Sequence, residues 1–387
     1  MISLPLAASA APAATALPAW WRVFTEVGYF VALFAVIGGS LTYLAVVRPV
    51  SRTDIDAEDG RVARHRYARF LAWCGPVLLV AAYLQLAGRV ARGQHGVTFG
   101  QALAPQRIWA FLTIPAAKGS WISSGALVIA QNALFALAAI VLLSLFVRER
   151  PALVASIALA LTAAGSLVLS VPAKTTGLTL DDELDTWLTQ AHVLAAGAWL
   201  GGLASLAIVA RSRLFGERAG LCWARTWQRF SSVALIAVGV LVTSGSWLAF
   251  RHVGNVGELF TTTYGRFLLV KLLIVITMVS AGGYNQFVLT PRIVRVQAQG
   301  DHQRGFALTL RHFPAVVTVE ALLGLCVLLI VPFLTGSART QAGEVIKPTF
   351  DGGILTLGLL LVAALAGSLY TSHRVSVVLA QRPVGQR

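Results

Sequence analysis

Nine stretches of roughly 20 to 26 mostly apolar residues recur along the chain, at 23–47, 70–90, 122–147, 152–171, 187–209, 230–250, 266–289, 313–334 and 352–372. Each is long enough to cross a hydrocarbon core about 30 Å thick at about 1.5 Å per residue. Backbone amides have no water to bond inside lipid, so runs of this length fold as helices that satisfy themselves. The expected fold is all-α, a polytopic transmembrane helix bundle of about nine spans, an eight-span core plus a C-terminal span. Composition agrees: charged residues make up 12% of the chain, about half the usual share in soluble domains.

The formal charge of +15 suggests nucleic acid until the basic residues are placed. They sit in short connections between spans and form no single basic face, so no nucleic-acid partner is expected. Arg48, Arg52, Arg61, Arg64, Arg66 and Arg69 crowd the first connection, and every second connection after it repeats the bias. That side takes 20 of the 31 basic residues. The positive-inside rule then puts the N-terminus outside and the C-terminus in the cytoplasm, which needs an odd number of spans.

The N-terminal stretch 1–22 is rich in Ala and Pro and lacks the basic start of a cleaved signal peptide, so it reads as an external tail. Residues 92–121, broken by Pro105 and Pro115, are expected to hold a short helix on the membrane surface. Residues 179–186 place four acids before the fifth span, either as helix caps or as a patch attracting cations. Cys74, Cys222 and Cys326 are far apart and form no disulfide or zinc pattern; Cys326 is expected in the core. Met278 alone cannot build a thioether path for Cu(I).

Ionisable groups inside a span need a partner or a purpose. Counted inward from the outer ends, Glu26, Gln85, His192 and Lys271 all fall about 8–9 Å deep. One reading makes this layer a polar site open to the outside, with His192 as a metal or cofactor ligand, since imidazole suits copper, zinc and haem iron. The other pairs Glu26 with Lys271 as a structural ion pair and gives His192 a hydrogen-bonded neighbour. His252, at the external end of the sixth span, could close over the same layer. Gln131 and Asn132 lie near mid-membrane. Asn285 and Glu320 form a second, inner layer. Gly197 with Gly201, and Ala198 with Gly202, have the small-xxx-small spacing that lets helices approach closely, and Trp199 follows His192 two turns on.

Three stretches, WLTQAHVLAAGAWLGGL (187–203), RFSSVALIAVGVLVTSGSW (229–247) and TTYGRFLLVKLLIVITMVSAGGYNQFVLTPRI (262–293), resemble the copper resistance protein D (CopD) family in order and spacing. With the eighth span they cover about 150 residues, and His192, Trp199, Tyr264, Lys271 and Asn285 fall on its motifs. The resemblance implies a multi-pass protein of the bacterial cytoplasmic membrane that handles copper ions, importing them from the periplasm or working beside a small periplasmic copper-binding protein. The chain then divides into the tail 1–22, a four-span half 23–186, a CopD-like four-span domain 187–335, and an added span with a cytoplasmic tail, 336–387. Two features depart from the family: the first span carries Glu26 where many relatives have histidine, and the ninth span is extra.

Three functions follow: copper ion transport through His192 and His252, with Glu26, Gln85, Lys271, Tyr264, Trp199, Asn285 and Glu320 along the path; a haem b or redox subunit; and a scaffold for a periplasmic copper chaperone. No nucleotide loop, HExxH or nucleophile elbow is present, so no enzymatic activity is expected.

Overall fold

The computed structural model describes residues 17–53, 57–94, 96–147, 150–174, 177–210, 219–284 and 317–344, with scattered helical positions between 352 and 367. The described residues contain helices and connections and no strands. Among the described residues seven helices are long and apolar enough to cross a membrane: α1 (Trp20–Arg52), α2 (Gly60–Gly93), α4 (Ser124–Phe146), α5 (Pro151–Val168), α6 (Leu180–Val209), α7 (Arg225–His252) and α8 (Thr263–Tyr284). Between α2 and α4 lies the short α3 (Pro105–Leu112), in the region expected to lie on the surface. The apolar α9 (Val317–Phe333) falls at the eighth expected span. The protein is an all-α polytopic membrane bundle. Its outward faces are apolar: Ile140, Ile236 and Ile276 are each at least 60% exposed, which suits lipid and would not suit water.

Several helices run past the hydrophobic stretches that announce them. The helix of α2 already runs from Ala57, because the arginines and alanines of this stretch are good helix formers. α6 starts at Leu180, where Thr179 and Asp182 form a reciprocal capping box, so the acidic segment is a helix start. Pro76 lies inside α2 without ending it.

α1 is the central helix. Ala32, Leu33, Phe34, Val36 and Ile37 are almost fully buried, packed among α2, α5 and α6. Its closest neighbour is α6, whose Gly197–Gly201 segment widens into a π-turn. A Cβ on Gly38 would overlap the Gly202 nitrogen and the Gly197 carbonyl, and one on Gly201 would overlap the Phe34 carbonyl. The small-residue spacing of α6 therefore meets Gly38 and the Phe34 carbonyl of α1, and backbone packs directly on backbone.

Toward the Arg48 end of α1, buried hydroxyls join three helices. The Tyr67 hydroxyl of α2 donates to Ser205 Oγ of α6 at 2.7 Å and lies 3.2 Å from the Gly39 carbonyl of α1. Ser205 in turn donates to the Gly202 carbonyl at 2.8 Å. Tyr67→Phe leaves the Ser205 oxygen buried without its donor, a loss of about 1–3 kcal/mol. A melting temperature several degrees lower in detergent is the expected result; an unchanged melt would show that the bond contributes nothing.

Candidate functional site: two imidazoles along α7

His192 sits three turns into α6 and faces α7. Its Nδ1 lies 3.0 Å from Ser244 Oγ. The Ser244 hydroxyl is 2.6 Å from the Val240 carbonyl, to which it donates, so toward the ring it acts as acceptor. Nδ1 then carries the imidazole proton, and Nε2 keeps a free lone pair. A metal-binding histidine is commonly held in this way, with the non-ligating nitrogen donating to a neighbour that fixes ring and tautomer. Gly245 makes room for it: a Cβ there would touch the ring at 3.4 Å. The Lys271 ammonium of α8 is within electrostatic reach of the ring. Trp199 is buried two turns along the same helix.

His252 ends α7. Its Nδ1 lies 2.8 Å from the Leu248 carbonyl, an acceptor only, so here too Nδ1 is protonated and Nε2 is free. The ring stacks on Tyr264, with centroids 5.9 Å apart and planes 9° from parallel. Tyr264 is buried, and its backbone N–H donates to Gln341 Oε1 at 3.0 Å. Gly245, under the His192 ring, and His252 are seven residues apart on one helix, about 10 Å along its axis. That is too far for one ion to bridge and short enough for a step between two. Among the described residues no three His, Cys, Asp or Glu side chains gather as a metal cage.

The acids in the first turns of α6 brace this end of the pair. Arg251 is buried, with its guanidinium 3.9 Å from both Asp181 and Asp185, and Trp247 Nε1 donates to Asp185 at 3.3 Å. Asp182 caps its own helix. Their seen roles are capping and ion pairing. Beyond α7, the buried Glu258 carboxylate accepts from the Gly254 N–H at 2.8 Å and from Asn255 Nδ2 at 3.0 Å, closing the turn that follows His252.

The layer of four polar residues does not form one pocket. Glu26 is paired with Arg22 at 2.9 Å and Arg92 at 3.1 Å, so the expected Glu26–Lys271 ion pair is not made. Among the described residues Lys271 has no carboxylate partner. Gln85 faces a separate cavity in the N-terminal half, with Gln131 and Asn132. Only His192 and Lys271 share a neighbourhood. Glu320 is buried on α9; its expected partner Asn285 lies outside the described residues. Cys326, expected in the core, is exposed, because it falls on the outward face of α9 and the inward positions are taken by Gly324, Val327 and Leu328. Ser244 escaped the sequence reading, although a serine amid a Gly-rich apolar span is a usable signal. The Arg22–Glu26 pair was legible as i, i+4.

Comparison with known proteins matches residues 224–334 to the model of the family described as copper resistance protein D. Over 99 residues the chain is 36% identical to the copper transport protein CutJ of Bacillus subtilis (strain 168), covering 26% of this chain and 18% of that one. Over 134 residues it is 29% identical to the copper resistance protein D of Pseudomonas syringae pv. tomato, covering 34% of this chain and 43% of that one. The chain thus spans less than half the length of either relative. No solved structure matches it. The match contains α7, α8 and α9, with Ser244, His252, Tyr264, Lys271 and Glu320, while His192, on α6, lies outside it. Over residues 224–334 the chain is similar to the copper resistance protein D family.

Proposed function

We propose that this protein carries copper ions across the bacterial cytoplasmic membrane, taking them from the periplasmic side at His252 and passing them inward to His192. The observation that carries the reading is the pair of imidazoles whose Nδ1 atoms are engaged by Ser244 and by the Leu248 carbonyl, each leaving Nε2 for a ligand, set against positions on α7 about 10 Å apart along its axis. Conduction needs sites that bind well enough to admit an ion and loosely enough to release it. Single imidazoles without a surrounding cage meet that need, and imidazole is a good copper ligand. The names of the two relatives, one of transport and one of resistance, support copper as the cargo.

The bias of basic residues supports a periplasmic N-terminus, which puts His252 at the outer end of α7 and His192 deeper. Delivery by a small periplasmic copper-binding protein belongs to the same reading. The role is transport, with no covalent chemistry.

Uptake by proteoliposomes tests it. Reconstituted protein should admit copper into vesicles at least about tenfold faster than protein-free vesicles, and His252→Gln should slow that uptake with no change in the amount of folded protein. Vesicles that take up copper no faster with the protein than without it rule transport out.

A further inference from the structure

After α9 the chain crosses the His252 end of α7 and the start of α8. Phe333, at the end of α9, stacks on Phe267 of α8 with ring centroids 4.7 Å apart. The chain then turns at Gly336, runs through the short helix Ala338–Gln341, and turns again at Gly343. The two glycines have φ of +74° and +88°, a backbone conformation that other residues resist. They set off the residues between them as a compact strap, anchored by the fully buried Ala338.

Three contacts of this strap bracket His252. Arg339 Nη2 donates to the Phe250 carbonyl at 3.4 Å, two residues before the histidine. The Glu344 carboxylate, paired with Arg339 Nη1 at 2.8 Å, lies against Gly254, two residues after it; a Cβ there would overlap carboxylate oxygens of both Glu344 and Glu258. Gln341 Oε1 accepts from the backbone N–H of Tyr264, the residue whose ring stacks on His252. That amide belongs to the first turn of α8, where a helix has no carbonyl of its own to offer. His252 is the last residue of α7, and helix ends fray. Arg339 and Gln341 therefore bond the backbone on both sides of the stack, one on α7 and one on α8, and fix the spacing of the helices that carry the two rings.

We propose that residues 337–344 form a clasp in which Arg339 and Gln341 are positioning residues, holding the His252–Tyr264 stack in the geometry that receives copper. The inference rests on the reading of His252 as the outer copper ligand. Neither side chain binds the ion; each acts through the backbone that carries a ring.

The test isolates the outer station by using His192→Gln as the parent. Copper affinity is read by competition against a chelator, and melting is followed alongside. Gln341→Leu and Arg339→Gln should each bind the remaining ion at least about fivefold more weakly, a step below the roughly 10–100-fold of a group bonded to the ligand itself. Gln341→Glu keeps an acceptor for the Tyr264 amide and should bind no more weakly than the parent. Arg339→Gln separates positioning from charge, because removing a nearby cation would by itself strengthen copper binding. Variants that melt lower yet bind copper as tightly as the parent reduce the clasp to fold stability and overturn the proposal. A parent that binds no copper, or binds it equally well with His252→Gln added, overturns His252 as a ligand and the clasp with it.

Discussion

Gly201→Leu is expected to abolish assembly of the folded bundle. A side chain at this position begins with a Cβ that overlaps the Phe34 carbonyl, and the same crossing has no slack on its other side, where Gly38 meets the backbone at Gly197 and Gly202. Backbone atoms of two central helices cannot swing aside as a flexible side chain can. Even Gly201→Ala should cost about 1–3 kcal/mol, the usual penalty for overfilling a packed interior, and leucine should exceed what a marginally stable fold can bear. Gly28 supplies the control. It lies on α1, the other helix of the crossing, is exposed, and a Cβ there would meet nothing within 4 Å, so Gly28→Leu should melt within a degree or two of the wild type. Fluorescence-detected gel filtration reads both: no monodisperse peak for Gly201→Leu, a lowered melt for Gly201→Ala, and a normal profile for Gly28→Leu. A Gly201→Leu protein that migrates and melts like the wild type would mean that α1 and α6 do not meet here.

That crossing also bears on the proposed copper site. The π-turn and glycines of α6 begin five residues after His192, so the contact that locks α6 to α1 also sets the face that His192 presents to α7. π-turns often occur beside functional groups, and here the local widening and the close glycine contact fall on the same residues.

Membrane residence and the helical class were legible from run length alone, because the bilayer imposes a single length scale on every span. The span edges were less legible: arginine-rich and acidic segments such as 60–69 and 180–186 are polar enough to read as loops, yet they continue helices that emerge into water or are capped by their own acids. The polar layer shows a different limit. Counting residues gives depth, which is one coordinate. Which residues meet at that depth depends on the rotation of each helix and on its neighbours. Glu26 and Lys271 were placed at similar depths, but Arg22 and Arg92 stand closer to the glutamate. His192 and Lys271, by contrast, do share a neighbourhood. Ser244 was missed because a serine in an apolar span ordinarily bonds back to its own helix. It does so here as well, and that bond is what turns its oxygen into an acceptor for the imidazole.

His192→Gln should remove the inner copper station and reduce transport to near the protein-free background, a loss of about tenfold or more. Glutamine keeps a polar side chain that can still bond Ser244 but lacks the imidazole nitrogen, so the packing against Gly245 is retained while the ligand is lost. Ser244→Ala acts one step further out. The ring loses the acceptor that holds Nδ1–H, and both its tautomer and its orientation become free; outer partners of this kind typically contribute 10–100-fold in metal affinity. The ordering is therefore the wild type first, Ser244→Ala next, His192→Gln last. A purely structural histidine would give another order, with Ser244→Ala and His192→Gln lowering the melting temperature together and leaving metal affinity alone.

Copper affinity of the purified protein is the most direct measurement, made by competition against a chelator of known strength, with the wild type, Ser244→Ala and His192→Gln compared at equal folded concentration. The wild type should bind copper through imidazole nitrogen, Ser244→Ala at least about tenfold more weakly, and His192→Gln with one fewer bound ion. Equal affinity and stoichiometry in all three would contradict the assignment of His192 Nε2 as a copper ligand.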